Sequence, residues 1–393
     1  MHYHKFNTYS QLRTIVLGSY FRAEYFDFID DVEIRNALMK IATEINEDLD
    51  YYQQVLENHK VKVLRPTLPS KKVFIDNWNA TGRFLSPPLQ PRNNHSVVGN
   101  TLYQLTTSDD IDYINAVLPG EIVDLSISNQ QVFYKGCQDN INCYNPTEDV
   151  WYAREKYQEL AGSDWPDFYD YVKGARSSVP SIENEIESFN DTLRYETKEF
   201  TELAGPNLFP VDNKLYIDCK EYLEYGEWVR RNVKFDGELV VMNSKATHTD
   251  GCFVVLGNNV IIGMVPGIDY EKLFPGYRVV RASDSYQEAA VKRKDIGGFI
   301  KKRWWIPGEK DNAKLVNYVD VYMQNYIGNA YETSFDLNVL TINADTICMI
   351  VCDPDVVSQL NDFGINVIEI PWRHRFFVDC GIHCLTLDLH RED

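Results

Sequence analysis

The chain has 393 residues, 44% of them hydrophobic, and a formal net charge of −19 from 58 acidic and 39 basic side chains. That length exceeds one ordinary domain but suits a barrel or a pseudosymmetric single domain with a large core. The acidic balance argues against nucleic acid and anionic membrane surfaces as partners and tolerates small cationic substrates.

Taken in order, residues 12–18 (Leu-Arg-Thr-Ile-Val-Leu-Gly) read as a strand ending in a turn. Residues 32–58 carry apolar side chains at helical spacing, which predicts one or two helices. Residues 61–64 form a short strand stopped by Arg65-Pro66, and the proline-rich stretch 78–92 reads as a loop. Residues 96–104 then place apolar residues on both sides of Gly99-Asn100, the pattern of a hairpin with positive φ at its tip. The same form recurs at 208–217, 252–262 and 337–350. Residues 15–17 and 385–389 each read as half of a fifth.

The hairpins are unequally spaced, so the chain is not a solenoid. Unequal spacing suits similar units arranged around a centre, each with its own helical connection. Helices are expected at 148–175, 220–232, 311–327 and 354–363, and a polar insertion near 118–146. No low-complexity linker marks a domain boundary, so residues 1–393 read as a single domain.

Polar residues precede four of the hairpins: Asn93 the first, Glu202 or Asn207 the second, His248 with Asp250 the third, and Cys384 the last strand. If the hairpins surround a centre, these side chains converge on one axis. Cys384 stands beside His383, at the mouth of a strand in which Leu385, Leu387 and Leu389 alternate with polar residues. Gly381, just upstream, allows close backbone approach. An isolated cysteine is more often a small buried hydrophobe; a base and a substrate cradle would make it a nucleophile. His248 and Asp250 are two apart at the start of a strand, a spacing that turns both to one face. Such a histidine can act as a base toward a thiol and as an acid toward an amine, though alone it reads more often as structural. One His and one Asp at this spacing are not a zinc ligand set.

These blocks resemble the amidinotransferase branch of the guanidino-group-modifying (pentein) superfamily, to which glycine amidinotransferase and arginine deiminases belong. The resemblance is carried by residues 7–18, by 91–100 with Pro91-Arg92-Asn93, by 204–216, by His248-Thr249-Asp250, and by 381–388 with Gly381-Ile382-His383-Cys384. It spans most of the chain in the family's order and implies a five-bladed α/β propeller, the pentein fold.

For the chemistry, the resemblance implies a cysteine nucleophile. The Cys384 thiolate would attack the guanidinium carbon of arginine or a relative, and His248 would protonate the departing amine. An acceptor amine would then take the amidino group. Asp250, Asn93, Glu202 and Asn207 would hold the substrate, with no metal or cofactor. The implied partners are a small guanidino compound and an amine acceptor, and a homodimer is compatible with this. The chain departs from the family at two places. Asn93 stands where the family has an aspartate, and Ala204 takes the position of the catalytic carboxylate, with Asn207 at the second acid and Glu202 two residues away. An amide at position 93 is similar to the arginine and succinylarginine dihydrolases. This keeps open a hydrolase of the dihydrolase or deiminase type that releases ammonia. A catalytically lapsed binding module is a further alternative.

The eight cysteines contain no CxxC pair; Cys137 with Cys143 and Cys348 with Cys352 are the near neighbours. That usage points to free thiols in a reducing, cytoplasmic compartment. The residues after Met1 lack the apolar segment of a secretory signal, and no run approaches the length of a membrane span.

Overall fold

The computed structural model describes residues 2–139, 203–219, 223–243, 248–263, 269–281, 312–323, 337–351 and 353–392. The helix expected at 148–175 and Glu202 lie outside them.

Five three-stranded sheets form the frame, and all follow one plan. The sheet that closes the chain joins β1 (Gln11–Leu17) and β2 (Lys62–Leu64) to β15 (Thr386–Glu392). The next two contain β3 (His95–Val98), β4 (Thr101–Gln104) and β5 (Ile122–Asp124), and then β6 (Leu208–Val211), β7 (Lys214–Asp218) and β8 (Glu238–Met242). The last two contain β9 (Phe253–Leu256), β10 (Val260–Gly263) and β11 (Arg278–Val280), and then β12 (Leu340–Asn343), β13 (Thr346–Met349) and β14 (Asn366–Glu369).

In each sheet two strands pair antiparallel and the third adds parallel. A two-residue connection suffices for the antiparallel pair, whereas the parallel strand requires a crossover. The hairpin tips carry residues that tolerate positive φ, including Gly99, Asp212, Asn258 and Asn259.

The sheets follow one another around a ring. β15 lies against β3, β3 against β6, and β1 against β12. Phe209 meets Phe253 edge to face at 6.1 Å between the third and fourth sheets. Leu256 and Val260 share one core with Val339 and Ile347, joining the fourth to the fifth. The chain is thus a five-bladed α/β propeller. Residues 15–17 and 385–389 are indeed halves of one blade: β1 pairs with β15, so chain start and chain end close the ring.

The periodic stretch from 32 to 58 is one helix, α1 (Val32–Asn58). Asp31 caps it by accepting from the backbone N–H groups of Glu33 and Ile34, satisfying donors that no helical carbonyl can reach. Its apolar stripe, from Ile34 through Leu38, Ile41, Ile45, Leu49 and Leu56, is buried against the closing blade.

The loop expected over 78–92 is shorter than the prolines suggested. Helix α2 (Lys71–Thr81) runs through Trp78 and stops only at Gly82, at φ +66°. Ser70 caps its start, and Phe74, which alone is fully buried on it, anchors it. Within the expected insertion, 122–124 is the third strand of its blade, and Ser126–Asp139 is helical. Helices Leu223–Asn232, Ala313–Tyr322 and Pro354–Asp362 fall where the spacing placed them.

Candidate active site

In every blade a tight turn leads into the first strand, and these five turns gather the polar residues. Before β3 the turn is α3 (Pro91–Asn94); before β6 it is Gly205–Asn207; before β9 it is Thr249–Gly251. Asn338 precedes β12, and His383-Cys384 precedes β15. The turns of the second, third and fourth blades pack on one another in succession, and α3 also packs on β15. At Gly205 the approach is so close that a Cβ would lie 1.9 Å from the Arg92 carbonyl oxygen.

Cys384 is buried, at 4% exposure. Its Sγ lies 3.6 Å from Asp250 Oδ2, to which the thiol donates, and accepts from Asn338 Nδ2 at 3.1 Å. His383 Nδ1 donates to the same Asp250 Oδ2 at 2.7 Å. In the neutral ring this leaves the lone pair on Nε2. Asp250 Oδ1 is buried and has no hydrogen-bond partner among the described residues. The Asn338 Oδ1 accepts from the backbone N–H of both His383 (2.7 Å) and Cys384 (3.0 Å).

The electrostatics follow from this packing. Burial opposes ionisation of Asp250, but the hydrogen bond and charge of His383, aided by His248 and Arg92, hold its carboxyl down to about 2. Burial and the neighbouring Arg92 push His383 down to about 4 against the pull of Asp250. At neutral pH the pair is therefore a carboxylate and a neutral imidazole.

Directly behind His383 stands a second buried cluster. Asp388 pairs with Arg92, with Lys5 at 3.2 Å and with Arg391 at 2.8 Å. Arg391 also donates to the carbonyls of Ser10 (2.7 Å) and Thr341 (2.9 Å). Arg92 Nε donates to the His383 carbonyl at 3.1 Å, fixing the turn that carries the nucleophile candidate. Trp372 Nε1 to the Cys380 carbonyl (2.8 Å) and Arg373 to Asp48 on α1 (2.9 Å) tie the preceding loop to the core.

The remaining sequence candidates fall on the same ring of turns. His248 sits in extended backbone immediately before a one-turn helix, so the strand period does not set its direction. It nevertheless acts on Asp250 through its charge. Asn93 Nδ2 donates to Gln90 Oε1 at 2.6 Å, and Asn93 Oδ1 is buried with no partner among the described residues. Asn207 is fully buried, its amide on the Asp218 carbonyl at 3.3 Å. Ala204 begins the turn before β6. Glu202 lies outside the described residues.

Two residues of the cluster were not among the site candidates. His383 adjoins the cysteine in sequence. Asn338 heads the fourth hairpin, the one hairpin for which no polar residue was assigned; the repeat itself was the signal. Among the described residues no group of three or more His, Cys, Asp or Glu is arranged to hold a metal ion. No helix among them is long and apolar enough to cross a membrane. Cys219, Cys252, Cys348, Cys380 and Cys384 are free thiols.

No protein-family model matches the chain, and no curated protein matches its sequence. Among solved structures it is similar to SxtG, an amidinotransferase of the saxitoxin biosynthetic pathway from Microseira wollei. The identity is 16% and the TM-score 0.53, covering 100% of this chain and 98% of that one. It is also similar to the inosamine-phosphate amidinotransferase StrB1 from Streptomyces griseus, with 13% identity, a TM-score of 0.54, and coverage of 100% and 97%. The likeness extends over both whole chains, and the five-bladed architecture is the pentein fold.

Proposed function

We propose that the protein is an amidinotransferase-like enzyme that moves the amidino group of arginine or a related guanidino compound through a covalent cysteine adduct. The observation that carries this reading is Asp250. One of its oxygens takes the His383 ring and the Cys384 thiol, while the other is buried without a partner among the described residues. A buried carboxylate with an unmet acceptor beside a thiol suits a cation with N–H donors, which a planar guanidinium supplies. Asn93 Oδ1, without a partner among the described residues, adds a second acceptor on the turn of the second blade.

The steps balance without a cofactor. The Cys384 thiolate forms a bond to the guanidinium carbon, and the C–N bond to the leaving amine breaks. His248 gives that amine its proton, the role general acids play in such departures. An amidino-cysteine remains. An acceptor amine then attacks the same carbon, passes its surplus proton back to His248, and the C–S bond breaks to release a new guanidino compound and return the sulfur as thiolate. Free thiols among the described residues agree with a cytoplasmic setting.

A second reading has water as the acceptor. It is favoured by Asn93 and Ala204, which leave the guanidinium fewer charged anchors, so that it can turn and present a second nitrogen.

The test is incubation with arginine and a panel of amines, followed by mass spectrometry of the protein and its products. A transferase gives ornithine only with an acceptor and no ammonia, with an amidino adduct on Cys384. A dihydrolase gives two ammonia per ornithine. Cys384→Ala abolishes both adduct and product while leaving the fold intact. A wild type that forms neither adduct nor product, and binds no guanidino compound in calorimetry, leaves only the lapsed-enzyme alternative.

A further inference from the structure

We infer that Asn338 is the positioning residue of the nucleophile: its amide fixes the Cys384 backbone with one end and stabilises the sulfur as thiolate with the other. The inference rests on reading Cys384 as the nucleophile.

Three bonds converge on this one side chain, which is fully buried. Its Oδ1 accepts the consecutive N–H groups of His383 and Cys384. Backbone N–H groups can only donate, so the oxygen must face them. The orientation of the amide is therefore dictated by the backbone rather than assigned by choice. Its Nδ2 is consequently turned to Cys384 Sγ, 3.1 Å away. A donor aimed at sulfur favours the charged form of the thiol, against the Asp250 carboxylate on its other side, which favours the neutral one. Asn338 thus offsets the cost of placing a thiolate beside the carboxylate that holds a cation.

Gly381 belongs to the same device. A Cβ on residue 381 would lie 2.3 Å from the Asn338 Cβ and 2.5 Å from its Cγ and Oδ1. Only a glycine lets the loop and the asparagine approach this closely.

The test reads the thiol directly. The full chain is alkylated with iodoacetamide across a pH series, and the Cys384 peptide is quantified by mass spectrometry. Asn338→Asp keeps the acceptor for both N–H groups, removes the donor to sulfur and adds a negative charge. The alkylation midpoint is expected to move to higher pH by about one unit or more, roughly a tenfold loss of thiolate below the midpoint. Asn338→Ser, shorter and uncharged, is expected to move it less in the same direction.

A wild-type midpoint in either folded variant overturns the proposal. Loss of folding in both reduces Asn338 to a structural residue and overturns it as well. The midpoint does not depend on turnover. A chain that accepts no guanidino substrate can still bear this inference out, and a wild-type profile in Asn338→Asp would leave the amidinotransferase reading standing.

Discussion

Two buried aspartates flank His383, and they are treated in opposite ways. Asp388 meets three cations, and Arg391 beside it is in turn bonded to two carbonyls. Asp250 meets one neutral histidine and one thiol, and keeps one oxygen unpartnered among the described residues. A buried carboxylate surrounded by cations holds elements together: here the chain start (Lys5), α3 (Arg92) and β15. A buried carboxylate with an acceptor to spare is costly unless something supplies the donor. Saturation suits a structural role for Asp388, and deficiency suits the chemical role proposed for Asp250. The two are coupled, because Arg92 bonds both Asp388 and the His383 carbonyl and its charge lowers both Asp250 and His383.

The largest effect expected from this contrast is on stability. Asp388→Asn leaves Arg92, Arg391 and Lys5 without their shared anion. Breaking a buried pair from one side costs about 3–5 kcal/mol, because the partner charge stays buried. Urea unfolding should show that loss. Asp250→Asn should show much less, since no buried arginine or lysine among the described residues depends on it for an ion pair. Equal losses at the two positions would end the distinction between them.

A smaller effect separates the two through pH. In the unfolded chain His383 titrates near 6.5; in the folded chain it is pushed down to about 4. Between those values the unfolded chain binds a proton that the folded chain does not, so stability falls as pH drops through this window. The full contribution is up to about 3 kcal/mol, at about 1.4 kcal/mol per unit. Burial lowers His95 and His374 as well, so they share the slope. His383→Asn keeps a donor for Asp250 and removes one titrating group. Urea midpoints between pH 7 and 4 should therefore fall less steeply in that variant. An unchanged slope would mean that His383 does not titrate with folding.

The part of this arrangement that the sequence disclosed is the part set by local pattern. Alternating apolar residues around Gly99-Asn100 and Asn258-Asn259 announce hairpins, because strand period and turn chemistry act within a few residues. The repeat placed Asn93, Asn207, Asp250 and Cys384 on equivalent turns. What stayed hidden depends on contacts between residues far apart in the chain. Asn338 is 46 positions from Cys384, and Asp250 is 134. The burial of Asp388 among cations could not be separated, in sequence, from an ordinary polar position of an alternating strand. Helix α2 was masked for a different reason: its amphipathic stretch is short, and the prolines that follow at Pro87, Pro88 and Pro91 suggested an earlier break.

The smallest effect expected concerns Asn93, and it shows how far an amide has been fitted where a carboxylate would grip harder. Gln90 donates through Nε2 to the Val378 carbonyl at 3.1 Å, which turns its Oε1 toward residue 93. An acceptor there calls for a donor, and Asn93 Nδ2 supplies it at 2.6 Å. The Asn93 oxygen is thereby left as the acceptor without a partner among the described residues. An aspartate at this position would face Gln90 oxygen to oxygen, and relief by turning the glutamine amide would break its bond to Val378. Asn93→Asp should therefore lower the unfolding midpoint slightly. Toward a guanidinium the same change replaces a neutral hydrogen bond by a charge-assisted one, worth about 1 kcal/mol more, or roughly fivefold in affinity. Calorimetry with arginine should record tighter binding in the less stable variant. If the wild type hydrolyses its substrate, the firmer grip should restrict rotation of the guanidinium and shift the products toward a single ammonia. Weaker binding in a folded Asn93→Asp protein would place residue 93 away from the cation and leave Asp250 as its anchor.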